Sequence, residues 1–229
     1  MRSLSNWWTS HAAARVVDLG SGTGSNLQYL APRLSGRQDW TLIDHDPQLL
    51  REAKAPAGQI KLDCLVGNLA DVGLSAIHNA DVVTASALLD LVSAEWLETV
   101  ANACADARCA VLFSLTYDGT IEWTSRDIDP ADSVVLAAVN EHQHRDKGLG
   151  SALGPGASRF AEELLRHLGF QTWTAYSPWQ LGPEDSELVY ELVSGWQAAA
   201  TQQEPDQKDE IWCWADRRRE MIASGSFEL

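Results

Sequence analysis

The sequence predicts an α/β domain with three α/β/α layers, a doubly wound, mostly parallel sheet and a helical insertion after strand five. Strand patterns alternate with helix patterns over the first half of the chain, which is typical of a parallel sheet covered on both faces. A glycine cluster directly follows the first strand. The chain has 229 residues, 45% of them hydrophobic, which suits one domain with a normal core.

Five strands are predicted in the first half, because short runs rich in Val, Ile and Leu end at polar or glycine residues. They cover residues 15–19, 39–43, 60–66, 81–85 and 110–115. Leucine spacing predicts a helix at 25–34. Asp46 and Ser93 are N-cap residues that predict two further helices, the first of them ending near residue 55. A loop through Asp71 is expected after the third strand.

The second half begins with a long polar stretch from 117 to 156 that contains one helix pattern. Helices are predicted at 133–144, 158–168, 183–200 and 211–222. The aromatic run at 170–176 predicts a sixth strand, and residues 226–229 begin another strand-like pattern.

The net charge of −15 is unevenly spread. Residues 1–60 carry 6 basic and 5 acidic residues, residues 61–150 carry 5 and 14, and residues 151–229 carry 6 and 13. A nucleic-acid partner is not expected, because binding to a phosphate backbone needs clustered Lys and Arg. The acidic excess fits either a solvated surface or a negative field around a cationic substrate.

No apolar stretch approaches the roughly 20 residues that span a membrane, and no secretion signal opens the sequence. A cytoplasmic protein without membrane contact is therefore expected. The 4 Cys residues form no C-x-x-C pair and have no zinc-type ligand spacing. We predict reduced thiols and no metal site.

A glycine-rich turn joins the first strand to the first helix. The sequence VVDLGSGTG at 16–24 has glycines where a ligand can approach the backbone closely. The second strand ends at Asp44, where a carboxylate can accept both hydroxyls of a ribose. These two features also fit a dinucleotide-binding fold. Asp18 distinguishes a dinucleotide from a ligand with an ammonium group. A carboxylate at this position repels a pyrophosphate and tolerates an ammonium group.

This combination resembles class I S-adenosylmethionine-dependent methyltransferases over about residues 14–118. VVDLGSGTG is similar to the family's first motif, TLIDHD at 41–46 to the second, and DVVTASALLD at 81–90 to the fourth strand and its loop. Asn68 stands beside the adenine position, where the family more often has Asp. The resemblance implies a Rossmann-like, seven-stranded sheet whose last strand is antiparallel.

The resemblance also implies S-adenosyl-L-methionine as the cofactor. The glycine loop would wrap its methionine part, Asp44 would hold the ribose, and the Ala85 carbonyl would meet the amino group. The implied cofactor residues are Asp18, Gly20, Ser21, Gly22, Thr23, Gly24, Asp44, His45, Asn68, Leu69, Ala85 and Ser86. One methyltransferase domain is expected over 1–229, with a cofactor half to about 118, an acceptor-specificity insertion over about 119–156 and C-terminal helices and a strand over 157–229.

Acceptor-side candidates follow the fourth and fifth predicted strands, where the family builds its pocket. We predict catalytic roles for His142, His144, Tyr117 and Asp90, and substrate-binding roles for Trp7, Trp8, Trp123 and Arg145. A His can act as a general base, and an Arg can hold a carboxylate or phosphate. Ordinary packing or an exposed helix end is the alternative for each. The two His residues point to different helix faces, so joint metal binding is not expected.

Tryptophan is unusually frequent, with 10 Trp against 4 Phe and 4 Tyr. Core positions are predicted for the tryptophans on regular elements, which are Trp40, Trp96, Trp173 and Trp196. Trp212 and Trp214 are expected to pack the last helix, and Trp179 to border the acceptor pocket.

The predicted function is methyl transfer to a small-molecule acceptor by in-line displacement. The alternatives are a protein or nucleic-acid methyltransferase on the same fold, and a non-catalytic S-adenosylmethionine-binding protein. The charge disfavours nucleic acid, as does the absence of an N/D-P-P-Y/F tetrapeptide after strand four. A nicotinamide-dependent dehydrogenase is disfavoured by Asp18.

Overall fold

Five parallel strands form the central sheet. The structure, a computed structural model, describes residues 13–114, 116–123 and 128–229. Its strands are β1 (Ala13–Leu19), β2 (Arg37–Asp44), β3 (Ile60–Val66), β4 (Val82–Ser86) and β5 (Ala110–Ser114). Their order is β3-β2-β1-β4-β5, and every neighbouring pair is parallel. The predicted fold class is confirmed.

The chain changes direction across the sheet at β1. From β1 it adds β2 and β3 on one side, and it then returns to add β4 and β5 on the other side. In sheets of this kind a ligand binds outside the carboxyl ends of the strands at the switch point. The loops after β1 and β4 therefore border the expected crevice.

Eight α-helices lie within the described residues. They are α1 (Ser25–Leu30), α2 (Pro47–Glu52), α3 (Leu74–Ile77), α4 (Ala94–Ala107), α5 (Asp132–Gln143), α6 (Ala157–His167), α7 (Ser186–Gln203) and α8 (Lys208–Ser224). α5 lies in the predicted insertion after β5.

Alternating strand residues face two separate apolar layers, because successive side chains point to opposite sides of a sheet. On one side Val16 and Trp40 belong to the same buried cluster as Leu27 of α1. On the other side Leu19 belongs to a cluster with Val100 of α4 and with residues of α6. Helices thus cover both faces, which gives the three layers.

A second core lies between α5, α7 and α8. Val135, Val193 and Trp214 are buried there, one from each helix. Asp132 at the start of α5 accepts a hydrogen bond of 2.7 Å from the Trp214 indole and forms an ion pair with the fully buried Arg218. This polar pair ties α5 to α8 inside an apolar bundle.

Two predicted helix starts are confirmed together with their caps. The Asp46 carboxylate accepts the Gln48 N–H at 2.7 Å, and the Ser93 hydroxyl accepts the Trp96 N–H at 3.2 Å. α2 ends at Glu52, earlier than the expected residue 55. The expected loop after β3 is instead helical over Leu69–Gly73.

The prediction of a sixth strand at 170–176 is wrong. Its aromatic and Thr residues alternate as in a strand, but in the described part of the chain no neighbouring strand pairs with this segment. Trp173 is 71% exposed, so its predicted core position is wrong as well. Residues 226–229 form no strand, although Leu229 exchanges two backbone hydrogen bonds with Leu181, at 2.8 and 3.0 Å.

The other tryptophans divide between core and surface. Trp40, Trp96 and Trp214 are buried as predicted, and Trp196 is partly buried. Trp212 is 49% exposed, contrary to its expected packing role. Two of the four free cysteines are buried and two are exposed. Within the described ranges, no helix combines the length and apolar character that crossing a membrane requires.

Candidate functional site

The loop between β1 and α1 holds three glycines with positive φ, of which Gly20 and Gly22 border the expected crevice. Gly20 and Gly22 have φ of 65° and 54°, in the region that favours glycine. A Cβ on Gly20 would lie 3.2 Å from the Leu88 side chain, so the loop after β4 packs against it. A Cβ on Gly22 would meet nothing within 4 Å. The loop therefore leaves open space beside its backbone.

The Asp44 carboxylate joins this loop to the end of β2. One of its oxygens accepts the Gly22 N–H at 2.8 Å, and the other accepts the Asp46 N–H at 3.0 Å. The His45 Nδ1 lies 3.2 Å from the same carboxylate, on a side chain that is 89% exposed. Each carboxylate oxygen has more than one acceptor site, so Asp44 can still accept two ligand hydroxyls.

Asp18 is a buried carboxyl group with an unused oxygen. It is 1% exposed, and its Oδ1 accepts one hydrogen bond of 3.0 Å from Asn26, which also donates to Thr84 on β4 at 2.9 Å. Among the described residues, no group hydrogen-bonds the Asp18 Oδ2 or the neighbouring Ser21 hydroxyl. Burial raises the pKa of Asp18 to about 7, against the opposing effect of the Asn26 hydrogen bond. An oxygen of this kind fits a ligand that supplies a donor or a positive charge.

Asn68 lies at the end of β3, next to the same loop system. The Gly67 N–H donates to the Asp44 carbonyl at 3.0 Å, which holds the two strand ends together. The Asn68 Oδ1 accepts the Ala70 N–H at 2.8 Å and caps the helical turn that begins at Leu69. Asn68 is exposed and its oxygen is used by this cap, so its amide nitrogen is the group that can donate to a ligand.

The β4 end supplies the other wall of the crevice. Ala85 is buried and pairs with Leu19 of β1, and Ser86 is half-buried at the last position of the strand. Ala87 has a φ of 55° and donates its N–H to the Ser114 carbonyl at 3.0 Å. This turn directs the chain toward Leu88 and the following helical turn.

Asp90, Tyr117, Gly119 and Asn140 form a polar group that we call the β4–β5 cluster. Asp90 is 7% exposed, and the backbone N–H groups of Asp90 and Tyr117 favour the charged form of its carboxyl group and so lower its pKa. The Tyr117 hydroxyl donates to the Asn140 Oδ1 at 2.8 Å, and the Asn140 amide nitrogen donates to the Gly119 carbonyl at 3.0 Å. The structure thus brings together two predicted catalytic residues, Asp90 and Tyr117.

Burial sets the protonation of this cluster. It raises the pKa of Asp90, against the lowering effects of the two backbone N–H groups and of Lys147. It also raises the pKa of Tyr117, and the negative charges of Asp118 and Asp90 act in the same direction. Both groups therefore hold a proton more firmly than they do in water.

The two predicted histidines are not brought together. The His142 Nε2 lies 3.1 Å from the Gln202 Oε1 on α7. The His144 Nδ1 lies 3.2 Å from the Ala152 carbonyl, on the side of α5 that also carries Asn140. The catalytic role of each histidine remains a prediction.

The predicted substrate-binding residues are separated in the same way. Arg145 donates to the Gln203 side chain and to the Gln202 carbonyl, both at 3.1 Å, at the end of α7. Trp123 packs against the helical bundle, with its ring 4.2 Å from the Arg218 guanidinium carbon. Trp7 and Trp8 lie outside the described residues.

Three polar residues of the site were missed from the sequence. Asn26 donates to Asp18 and also to Thr84, and Asn140 accepts the Tyr117 hydroxyl. Asn140 begins the polar segment NEHQHRDKG at 140–148, which also holds the predicted residues His142, His144 and Arg145 and was the available signal. No group of three or more possible metal ligands is found among the residues that the structure describes.

Residues 16–108 match the family model described as a methyltransferase domain. This match covers less than half of the chain and agrees with the family that the sequence motifs resemble. It includes the glycine loop, Asp44, Asn68 and Asp90. It ends before β5, so Tyr117 and the rest of the predicted acceptor side lie beyond the matched residues.

Solved structures of similar fold include methyltransferases from several organisms. The cyclopropane synthase MmaA2 from Mycobacterium tuberculosis has 8% identity and a TM-score of 0.50, over 95% of this chain and 76% of that chain. A SAM-dependent methyltransferase from Thiobacillus denitrificans, in complex with S-adenosyl-L-homocysteine, has 20% identity and a TM-score of 0.43, over 99% and 86%. The first likeness shows a shared fold. No curated protein matches the sequence.

Proposed function

We propose that this methyltransferase transfers a methyl group from S-adenosyl-L-methionine to a small-molecule acceptor in the cytoplasm. The observation that carries the proposal is the unused, buried Oδ2 of Asp18 beside the glycine loop. The cofactor has an ammonium group that would supply the missing donor and positive charge. A nicotinamide dinucleotide would bring a pyrophosphate toward the same carboxylate instead.

The residues around the loop fit the whole cofactor. Asp18 and the Ala85 carbonyl would receive the amino group, and the open space beside Gly22 would admit the methionine part. Asp44 would accept the ribose hydroxyls through its remaining lone pairs. Asn68 and Leu69 would border the adenine, with the Asn68 amide nitrogen donating to a ring nitrogen. The other members of the proposed cofactor site are Gly20, Ser21, Thr23, Gly24, His45 and Ser86.

When bound, S-adenosyl-L-methionine supplies an already activated methyl group on a sulfonium. The protein therefore has to align the acceptor, exclude water and, for some acceptors, remove a proton. Leu88 and Leu89, both buried, follow the end of β4, and Leu88 packs against the glycine loop at Gly20. The β4–β5 cluster is the proposed acceptor side, because it lies at the carboxyl ends of neighbouring strands.

A small acceptor is supported by the charge distribution. Residues 61–150, which contain the β4–β5 cluster, carry 5 basic and 14 acidic residues. Such a surface repels the phosphate backbone of a nucleic acid. Trp7, Trp8, Trp123, His142, His144 and Arg145 remain predicted acceptor-side residues.

Formation of S-adenosylhomocysteine over a panel of metabolites tests the proposal. The full chain is incubated with S-adenosyl-L-methionine and each compound, and the product is measured by mass spectrometry. Acceptor-dependent product formation is expected, and it should be lost in Asp44→Asn. Cofactor binding without turnover of any compound, peptide or nucleic acid would indicate a non-catalytic binding protein. Turnover of peptides or nucleic acid alone would contradict the small-molecule acceptor.

A further inference from the structure

The β4–β5 cluster offers hydrogen-bond acceptors to a ligand, because the Tyr117 hydroxyl and the Asn140 amide donate to groups within the cluster. The Gly119 carbonyl can only accept, so it fixes the Asn140 amide nitrogen toward itself and the Asn140 oxygen toward Tyr117. The Tyr117 hydroxyl must therefore give its proton to Asn140. Only lone pairs of the phenol oxygen remain for a ligand.

Asp90 adds a second hydrogen-bond acceptor to that of the Tyr117 oxygen. Its side chain belongs to a residue that is only 7% exposed, and its carboxylate forms no ion pair with Lys or Arg in the described residues. The charged and titratable groups that act on the cluster are Lys147, beyond α5, and Tyr117 and Asp118, after β5. A buried carboxylate without a bonded cation favours a ligand that brings both a positive charge and N–H donors.

Backbone constraints keep this arrangement fixed. Gly119 has a φ of 88°, and a Cβ there would lie 2.9 Å from Pro155 and 3.3 Å from the Asn140 amide nitrogen. The loop after β5 is thus packed between α5 and the turn at 154–156. Tyr117 and Asp90 are neighbours, because the Tyr117 backbone N–H lowers the pKa of Asp90 and the Asp90 charge raises the pKa of Tyr117.

We propose that the methyl acceptor is a primary or secondary amine, bound as its ammonium ion, and that Asp90 takes the proton from the acceptor nitrogen. This inference rests on the proposed function and names its substrate class. The N–H bond breaks and its proton moves to the Asp90 carboxylate, which leaves a lone pair on nitrogen. That lone pair forms the new N–C bond, while the C–S bond of the donor breaks and its electron pair stays on sulfur. Asn140 is a positioning residue, because it accepts the hydrogen bond of the Tyr117 hydroxyl and leaves the Tyr117 oxygen as an acceptor for the ligand.

Binding measured without turnover tests the substrate class. Thermal shift and NMR titration of the full chain, in the presence of S-adenosylhomocysteine, are run on a panel of small primary and secondary amines and the matching alcohols and carboxylates. Amines should bind the unsubstituted protein in preference to their alcohols, and Asp90→Asn should lose that preference. Asp106→Asn, the same change on an exposed carboxylate of α4, is the control and should keep it.

Because the Tyr117 hydroxyl donates to Asn140, the substitution Asn140→Leu should change which class of ligand the protein prefers. This substitution frees the Tyr117 hydroxyl proton, so the protein should bind alcohols better relative to amines. A merely structural role of Asn140 would weaken both classes alike. Tyr117→Phe should raise KM for the amine about 10-fold with a smaller change in kcat, because it removes an acceptor of binding.

The pH profile tests the proton transfer. At pH 7, Asp90→Asn should lower kcat/KM for the amine by about 100-fold or more, the usual contribution of a general base. The loss should shrink as the pH approaches the pKa of the amine, because the free amine needs no base. A loss that is constant with pH, equal binding of amines by Asp90→Asn, or a panel in which no amine binds would overturn the inference. Failure of S-adenosyl-L-methionine to bind would instead overturn the proposed function.

Discussion

The Gly22 N–H donates to the Asp44 carboxylate at 2.8 Å, which links the glycine loop after β1 to the end of β2. The other oxygen of this carboxylate accepts the Asp46 N–H at 3.0 Å. One side chain therefore holds the loop and offers lone pairs to a ribose. The cofactor site is organised in this respect before a ligand binds, which lowers the cost of binding.

Asp44→Asn should weaken S-adenosyl-L-methionine binding by about 10- to 100-fold, or about 1.4–2.8 kcal/mol. An amide has one acceptor oxygen in place of two and no negative charge, so it cannot accept the Gly22 N–H, the Asp46 N–H and two ribose hydroxyls together. Isothermal titration calorimetry measures the change. Asp39→Asn, on the same strand at its opposite end and paired with Arg37, should bind as the unsubstituted protein does. Equal losses in both variants would contradict the role of Asp44.

The stability of the protein should depend on pH through Asp18. Burial raises its pKa from the ordinary 3.8 to about 7 in the folded protein, so between these pH values the folded state holds a proton that the unfolded chain has released. Stability from this group is present below pH 4 and is lost as the pH rises to 7. Asp18→Asn has no carboxyl group that titrates at this position. Its free energy of unfolding, minus that of the unsubstituted protein, should therefore rise by about 2–3 kcal/mol from pH 5 to pH 8. Urea unfolding at both pH values measures it, and a constant difference would contradict the buried carboxyl.

Cofactor affinity should depend on the same proton. The ammonium group favours the ionised form of Asp18, so S-adenosyl-L-methionine should bind more tightly as the pH rises from 5.5 to 7, with release of a proton. Calorimetry in two buffers of different ionisation enthalpy counts the protons released. In Asp18→Asn the affinity should be weaker and nearly independent of pH over this range. An unchanged profile in that variant would place the ammonium group elsewhere.

Local and periodic features of the fold were predictable, and features that depend on distant partners were not. The strands β1 to β5 follow from apolar runs, and the starts of α2 and α4 follow from the caps Asp46 and Ser93. The segment at 170–176 has a strand pattern, yet a strand also needs a neighbour, which no local pattern provides. Asp18 and Asp44 were singled out from their motif positions, and their cofactor contacts stay predictions. Asn140 was missed because its partner Tyr117 lies 23 residues away.

Gly67 packs against Val72, and a side chain there would overlap it. Gly67→Ala should therefore cost about 1–3 kcal/mol of unfolding free energy by overpacking. Val72→Ala alone should cost less, and the double variant should recover much of the loss because the smaller side chain makes room. Urea unfolding of the four proteins gives the coupling energy. Additive effects of the two substitutions would contradict the contact.

The helical bundle should depend on the ion pair between Asp132 and the fully buried Arg218. Asp132→Asn removes a charge partner of a buried guanidinium, which should cost about 3–5 kcal/mol. Chemical unfolding followed by tryptophan fluorescence measures the loss. Glu191→Gln, an exposed change on α7, should alter stability by less than about 0.5 kcal/mol. A similar small effect of Asp132→Asn would show that the pair is dispensable.

Calorimetric titration of the full chain with S-adenosyl-L-methionine and, separately, with NAD is the most direct test of the central claim. We expect saturable binding of S-adenosyl-L-methionine at least about 100-fold tighter than that of NAD, a difference of about 2.7 kcal/mol. Asp18 provides the physical reason, because it attracts an ammonium group and repels a pyrophosphate. Tighter binding of NAD, or no binding of S-adenosyl-L-methionine, would contradict the account.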